Sequence, residues 1–257
     1  MKTTQLAAQL YTLRDHCKTA ADLAVTLKKV RTIGYRAVQV SGVGPIPPEE
    51  IKRIADGEGL VICATHEGGG SICDTPQAVV ERLGKLGCAD TAYPHPHVPI
   101  ATMDDVKRLA EALDRSGDVL RRAGMRLSYH NHANEFRKVA GKTVLQWLYD
   151  LTDVKNLQGE PDTYWVQTGG GDPVEWMQRL HGRLPIVHLK DYKIGDDMKP
   201  TMAEIGNGTL NWPAICHAAE ISGCPWFIVE QDVCPADPFD SLTQSWTYLT
   251  THIAERG

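Results

Sequence analysis

The chain has 257 residues, a net charge of −5 and 42% hydrophobic residues. It is long enough for one large domain with a sizeable core. The acidic balance, with a pI near 6.0, argues against a dedicated nucleic-acid binder or a basic membrane patch. No run of 18 apolar residues occurs and the start lacks a leader-like apolar segment, so a cytoplasmic protein is expected. Seven scattered cysteines form no Cys-x-x-Cys pair, which points to reduced thiols rather than a disulfide framework or a zinc finger.

In chain order, short β-like runs alternate with longer helical patterns. Strands are expected at 6–10, 35–40, 61–65, 91–93, 125–129, 157–160, 186–189 and 226–229. Helices are expected at 20–33, from Pro47-Pro48 to about Gly57, from Thr75-Pro76 to Leu86, and from Thr102 or Asp104 to about Arg122. Others follow at 143–151, from Asp172-Pro173, from Trp212-Pro213 to about Ser222, and at 238–253. The Gly68-Gly69-Gly70 stretch and the residues after Asp191 read as loops. Strand–helix alternation implies a parallel sheet, and eight units without a composition break imply one closed α/β domain over 1–257, a single (β/α)8 TIM barrel. The open doubly wound alternative is disfavoured, because no Gly-x-Gly-x-x-Gly follows the first strand.

The polar residues then acquire a position. Of ten histidines, His66, His95, His97, His130, His132 and His188 fall at or after strand carboxyl ends, together with Asp162, Lys190 and Glu230. That rim is where barrel active sites are built. His130 and His132 are two apart, so both face one side of an extended chain. His130, Asp162, His188 and Glu230 come from strands five to eight. Two imidazoles and two carboxylates suit a divalent first-row ion: Mn first, with Co, Fe and Zn open and Mg less suited to the histidines. His16, His181, His217 and His252 read as surface residues. For Lys190, an ion pair with Asp191 or Glu160 is the purely structural alternative.

Six segments carry a family resemblance: Gln9-Leu10-Tyr11-Thr12-Leu13-Arg14, Tyr129–Phe136, Asp162–Val166, Gly169–Pro173, Val187–Asp191 and Val229–Asp232. Together they resemble the xylose isomerase-like TIM-barrel superfamily, and within it the sugar phosphate isomerase/epimerase branch, whose relatives include inosose dehydratase and tagatose 3-epimerase. The resemblance implies a metal held in the order Glu, Asp, His, Glu at the ends of strands five to eight. Asp162, His188 and Glu230 match the last three, and His130 departs from the first. His132 or Glu135 then supplies the missing acid/base, or Glu135 is itself the strand-five ligand. Pro161 and Asn207 are smaller departures.

The implied chemistry is proton abstraction beside the carbonyl of a sugar or keto-sugar. Glu230, His132, Lys190 and Glu135 are the catalytic candidates. His66, His97, Tyr11 and Trp165 are the substrate-binding candidates, Trp165 serving equally well as core. Isomerisation or epimerisation is the first expectation, and β-elimination from a keto-sugar the alternative, because loss of the symmetric glutamate pair favours a distinct acid and base. A DNA-repair nuclease of the same fold would need more ligands and a basic face; a non-catalytic sugar-binding barrel is the third reading. The expected partner is a small sugar, with no nucleic acid or membrane, and a homo-oligomer is compatible with the sequence.

Overall fold

The structure, a computed structural model, describes residues 1–255. Eight parallel strands carry the architecture: β1 (Leu6–Gln9), β2 (Ala37–Val40), β3 (Val61–His66), β4 (Asp90–Tyr93), β5 (Arg126–His130), β6 (Leu157–Glu160), β7 (Ile186–Leu189) and β8 (Trp226–Val229). Their spatial order is β6-β5-β4-β3-β2-β1-β8-β7. The ring closes between its two ends: Asp162 and His188 form a parallel bridge, and the His188 amide donates to the Pro161 carbonyl at 3.0 Å. Pro161, which has no amide to offer, thus serves the ladder as an acceptor. The result is the expected single (β/α)8 barrel.

The helices start where their sequences supply caps. Thr19 with Asp22, Thr102 with Asp105 and Thr143 with Gln146 form reciprocal capping boxes on α1 (Ala20–Ile33), α5 (Met103–Arg122) and α6 (Val144–Asp150). Proline opens α2 (Pro48–Gly57), α4 (Pro76–Leu86), α8 (Pro173–Arg179), α9 (Trp212–Ile221) and α10 (Pro238–His252), near helix starts where its missing amide costs nothing. Two short helices go beyond the sequence reading. α3 (Gly69–Asp74) occupies the glycine-rich stretch read as a loop, and α7 (Thr163–Thr168) begins directly after Asp162. The stretch after Asp191, also read as a loop, is an antiparallel hairpin of Asp191–Ile194 with Pro200–Ala203.

Strand alternation divides the side chains. Leu6, Val38, Leu127, Tyr129, Val187, Leu189, Phe227 and Val229 point outward into the large core beneath the helices. Their neighbours point inward. At the amino-terminal end the interior is a small apolar plug of Ala7, Ala37, Cys63, Ala64, Ile186 and Ile228. Two residues further along, the same faces become polar: Gln9, Gln39, His188 and Glu230, all buried. The barrel therefore grades from apolar floor to polar mouth, and this gradient sets the site.

Candidate active site and metal centre

Four consecutive strands each deliver two polar residues spaced two apart, hence on one face: His130 and His132, Glu160 and Asp162, His188 and Lys190, Glu230 and Asp232. All but His132 and Asp232 are nearly or fully buried. His130, Asp162, His188 and Glu230 each offer one ligand atom within 4.8 Å of the others, so the four candidate ligands converge. Asp162 is oriented by its own helix. One carboxylate oxygen caps α7, accepting from the Trp165 amide at 2.9 Å, which turns the other oxygen into the site. That oxygen faces the Lys190 ammonium, while His130 Nδ1 is buried without a hydrogen-bond partner. An orphaned imidazole nitrogen among carboxylate oxygens fits a divalent ion.

Lys190 lies in the same place. Its Nζ is 2.9 Å from Asp162 Oδ2, 2.8 Å from Glu230 Oε2 and 3.0 Å from Asp232 Oδ2. The alternative pairings with Asp191 or Glu160 do not occur. Asp191 instead gathers the loop beyond the hairpin, accepting from the amides of Tyr192, Gly206, Gly208 and Leu210 and from the Trp212 indole. Burial opposes the charge on Lys190, but three carboxylates hold its pKa well above the lysine range. Burial likewise opposes ionisation of Glu230, and Lys190 and His188 overcome it, so Glu230 is a carboxylate at neutral pH. Asp162, for which burial outweighs the nearby ammonium, is raised to about 6.

Glu160 is the principal residue that the sequence reading did not place in the site. Its Oε1 is 2.5 Å from His66 Nε2, 3.1 Å from His188 Nε2 and 3.4 Å from His130 Nδ1. Its Oε2 accepts from Gln39 Nε2 at 3.0 Å, and Gln39 Oε1 in turn faces Gln9 Nε2 and His188 Nε2, each at 2.6 Å. Burial raises the cost of this charge, yet the histidines hold Glu160 well below the usual carboxylate range. His188 is the hinge of the cluster: Nδ1 lies 2.9 Å from Glu230 Oε2 while Nε2 faces Glu160. Burial would lower its pKa, but Glu160 and Glu230 lift it to about 10.

Above the cluster opens a cavity of about 410 Å³, lined among others by Tyr11, Arg14, His66, His95, His130, His132, Glu230 and Asp232. His132 stands between His130 and Trp165, with ring centroids 5.1 Å from each. Burial first, and then the Lys190 charge, lowers His132 to about 4, so its ring is neutral at pH 7. Trp165 backs His132 and lies 5.7 Å from Lys190 Nζ, behind the cavity wall. Arg14, not singled out from sequence, stacks on Tyr11 at 4.5 Å and donates to the Asp232 carbonyl.

Two candidates lie elsewhere. His97 turns away from the mouth: its Nδ1 is 2.7 Å from the Tyr93 hydroxyl, and it borders a separate hollow with Cys73 and Arg108. His95 takes the rim position, because the prolines at 94 and 96 end the strand and break the alternation. Glu135 is fully buried against the wall, accepting from the Tyr129 hydroxyl at 2.9 Å and the His132 amide at 3.0 Å. It belongs to neither group of converging ligand atoms. Near the Asn207 departure, the buried carboxylate is supplied by Glu204, which accepts from Ser241 at 2.8 Å.

Comparison with known proteins agrees with this fold. Inosose dehydratase of Lacticaseibacillus casei is 28% identical over 168 residues, 59% of this chain and 56% of that protein. Inosose dehydratase of Geobacillus kaustophilus (strain HTA426) is 34% identical over 166 residues, 58% of this chain and 53% of that one. The matches thus span just over half the length of these curated relatives. A crystal structure of a sugar phosphate isomerase/epimerase from Parabacteroides distasonis ATCC 8503 superposes with a TM-score of 0.81 at 25% identity, covering 95% of this chain and 96% of that one. The family model described as xylose isomerase-like TIM barrel matches residues 27–244. The chain belongs to the xylose isomerase-like TIM-barrel family.

Proposed function

We propose that this chain is a divalent-metal-dependent enzyme that removes a proton α to the carbonyl of a sugar or keto-sugar and returns it to the neighbouring carbon or to the opposite face of the same carbon, giving isomerisation or epimerisation through an enediolate. The observation that carries this reading is the convergence of His130, Asp162, His188 and Glu230 beneath a cavity that also holds Lys190 and His132. The ion, Mn by preference with Co, Fe, Zn or Mg as substitutes, would be held by those four residues and would supply charge stabilisation for the developing oxyanion.

The protein groups divide the remaining work. Glu230, ionised and facing the cavity, and His132, neutral and at its wall, are assigned as the two groups that accept a proton. Lys190 keeps its proton and donates to a substrate oxygen that gains negative charge. His66 and Tyr11 line the cavity and hold hydroxyls. Trp165 fixes the plane of the His132 ring from behind. Glu135 acts through the His132 backbone rather than on substrate.

β-Elimination from a keto-sugar is the second reading, and a specific observation favours it. Glu230 and His132 are chemically unlike, so the site has no matched carboxylate pair across the substrate. The inosose dehydratase relatives are in keeping with that asymmetry. Incubating the metal-loaded protein with aldose, ketose and keto-sugar panels in deuterated water, followed by NMR, decides. Deuterium at the carbon next to the carbonyl supports the proposal. Interconversion without water loss marks isomerisation or epimerisation, and an unsaturated ketone absorbing in the near ultraviolet marks elimination. Sugar binding with no exchange overturns the enzyme reading.

A further inference from the structure

Overlapping the four ligands just assigned is a second converging set: His66, His130, Glu160 and His188 offer one ligand atom each within 4.8 Å of one another. We propose that this nest is a second, nitrogen-rich cation seat that binds a borderline ion such as zinc or cobalt(II) alongside the ion of the proposed reaction. It rests on that reading only in sharing His130 and His188.

Geometry separates the two seats. His188 presents Nδ1 to Glu230 and Nε2 to Glu160, opposite edges of one ring, so it can bridge an outer and an inner ion. His130 directs Nδ1 toward Glu160 at 3.4 Å; that nitrogen is buried and has no hydrogen-bond partner. His66 Nε2 completes the inner set. Three imidazoles and one carboxylate make a four-coordinate shell from protein ligands alone, the arrangement of a structural ion. The outer seat then keeps Asp162, Glu230 and His188 and retains open positions, the arrangement of a reacting ion. Hard magnesium is poorly matched to three nitrogens, whereas zinc and cobalt accept them.

The charge distribution points the same way. Lys190 lies within 3.0 Å of both outer-seat carboxylates, Asp162 and Glu230, and forms no ion pair with Glu160. An ion entering the outer seat must share Asp162 and Glu230 with an ammonium, while an inner ion displaces only ring protons. Gln39, which faces His188 Nε2, retains its bonds from Gln9 and to Glu160 when that nitrogen turns to a metal.

The test is metal stoichiometry, which is independent of turnover. The full chain is stripped with chelator, dialysed against zinc, and analysed for metal per chain, with circular dichroism to show that each variant is folded. Wild type is expected to hold two zinc ions, and Glu160→Gln, His66→Gln and Asp162→Asn one each. With cobalt instead, Glu160→Gln should lose the intense visible absorption of a tetrahedral site. One ion in wild type, kept in Glu160→Gln and lost in Asp162→Asn, overturns the inner seat and leaves the proposed function intact. One ion lost in Glu160→Gln and His66→Gln but kept in Asp162→Asn upholds the inner seat and removes the outer one. Two ions retained in Glu160→Gln, or none in wild type, overturns the inner seat.

Discussion

Lys190 and Glu230 form a buried ion pair at 2.8 Å, and the same ammonium holds Asp162 and Asp232. One cation thus restrains three carboxylates inside the barrel mouth. Removing one member of such a cluster leaves uncompensated charge and costs about 3–5 kcal/mol. Lys190→Met should therefore destabilise the metal-free protein by about that amount, and added divalent ion should restore most of the loss. Urea melts with chelator and with manganese measure both values. Equal destabilisation in the two conditions would show that the ion and the ammonium do not share these oxygens.

Much of this arrangement is legible in the sequence, for physical reasons that also explain the gaps. Short runs such as Ile186–Leu189 and Trp226–Val229 are strands because their β-branched and aromatic residues have both faces to bury, and the structure bounds both as read. Asp162, His188 and Glu230 are visible because each falls at or just after the carboxyl end of an expected strand. The sequence offers Glu160 as a strand end and as a structural ion-pair partner for Lys190 but not as a site residue, since one carboxylate before a proline carries no periodic signal. The usable signal was its spacing from Asp162, repeated in His130/His132, His188/Lys190 and Glu230/Asp232. His97 misled because two prolines turn the chain, so the spacing from His95 no longer fixes a common face. The hairpin after Asp191 and the loop beyond it escaped notice because five donors converging on one carboxylate organise them, and such convergence has no local pattern.

That carboxylate gives the second prediction. Asp191 accepts from four backbone amides and the Trp212 indole, all within the segment that leads from β7 to α9. Leaving buried donors unpaired costs about 1–3 kcal/mol for each one that water cannot reach. Asp191→Ala should cost at least about 3 kcal/mol, and amide exchange should accelerate at Gly206 and Gly208 first. Exchange unchanged at those two glycines would mean that the loop holds itself.

Glu135 gives a pH signature. Burial lifts its carboxyl from 4.5 to about 7, against the stabilising bonds from Tyr129 and the His132 amide. A folded pKa above the unfolded one means that the native state binds the extra proton between those values. Its contribution to stability is complete below about pH 4.5 and is lost as pH rises through 7, a swing of about 3 kcal/mol. Glu135→Gln removes the titration. Relative to wild type the variant should gain up to about 3 kcal/mol between pH 5 and pH 8 in chemical denaturation. A constant difference across that range would show that the carboxyl titrates normally.

His132 separates acid/base work from metal holding. It lies outside both groups of converging ligand atoms, yet its ring lines the cavity. His132→Ala should retain bound metal and lose turnover by about 100-fold or more, the range of a displaced general base. His188→Ala should lose metal and turnover together. Metal analysis beside kinetics distinguishes the two, and a His132 variant emptied of metal while His130→Ala remains loaded would reverse the assignments of these histidines.

Two helical glycines test the packing that carries the site, and they should respond in opposite directions. Gly84 sits in α4 with open space where a side chain would begin, so Gly84→Ala gains helix propensity and should stabilise by about 1 kcal/mol. Gly117 sits in α5 where a Cβ would overlap the Asn156 carbonyl, at the turn that launches β6. Gly117→Ala must push that turn away, and overpacking of this kind costs about 1–3 kcal/mol, more than its propensity gain. Because β6 ends in Glu160 and leads into Asp162, the same displacement should weaken metal retention. Gly84→Ala should leave it unchanged. Thermal melts paired with metal analysis read both effects, and equal stabilisation by the two alanines would show that α5 and the 153–156 turn are not packed as described.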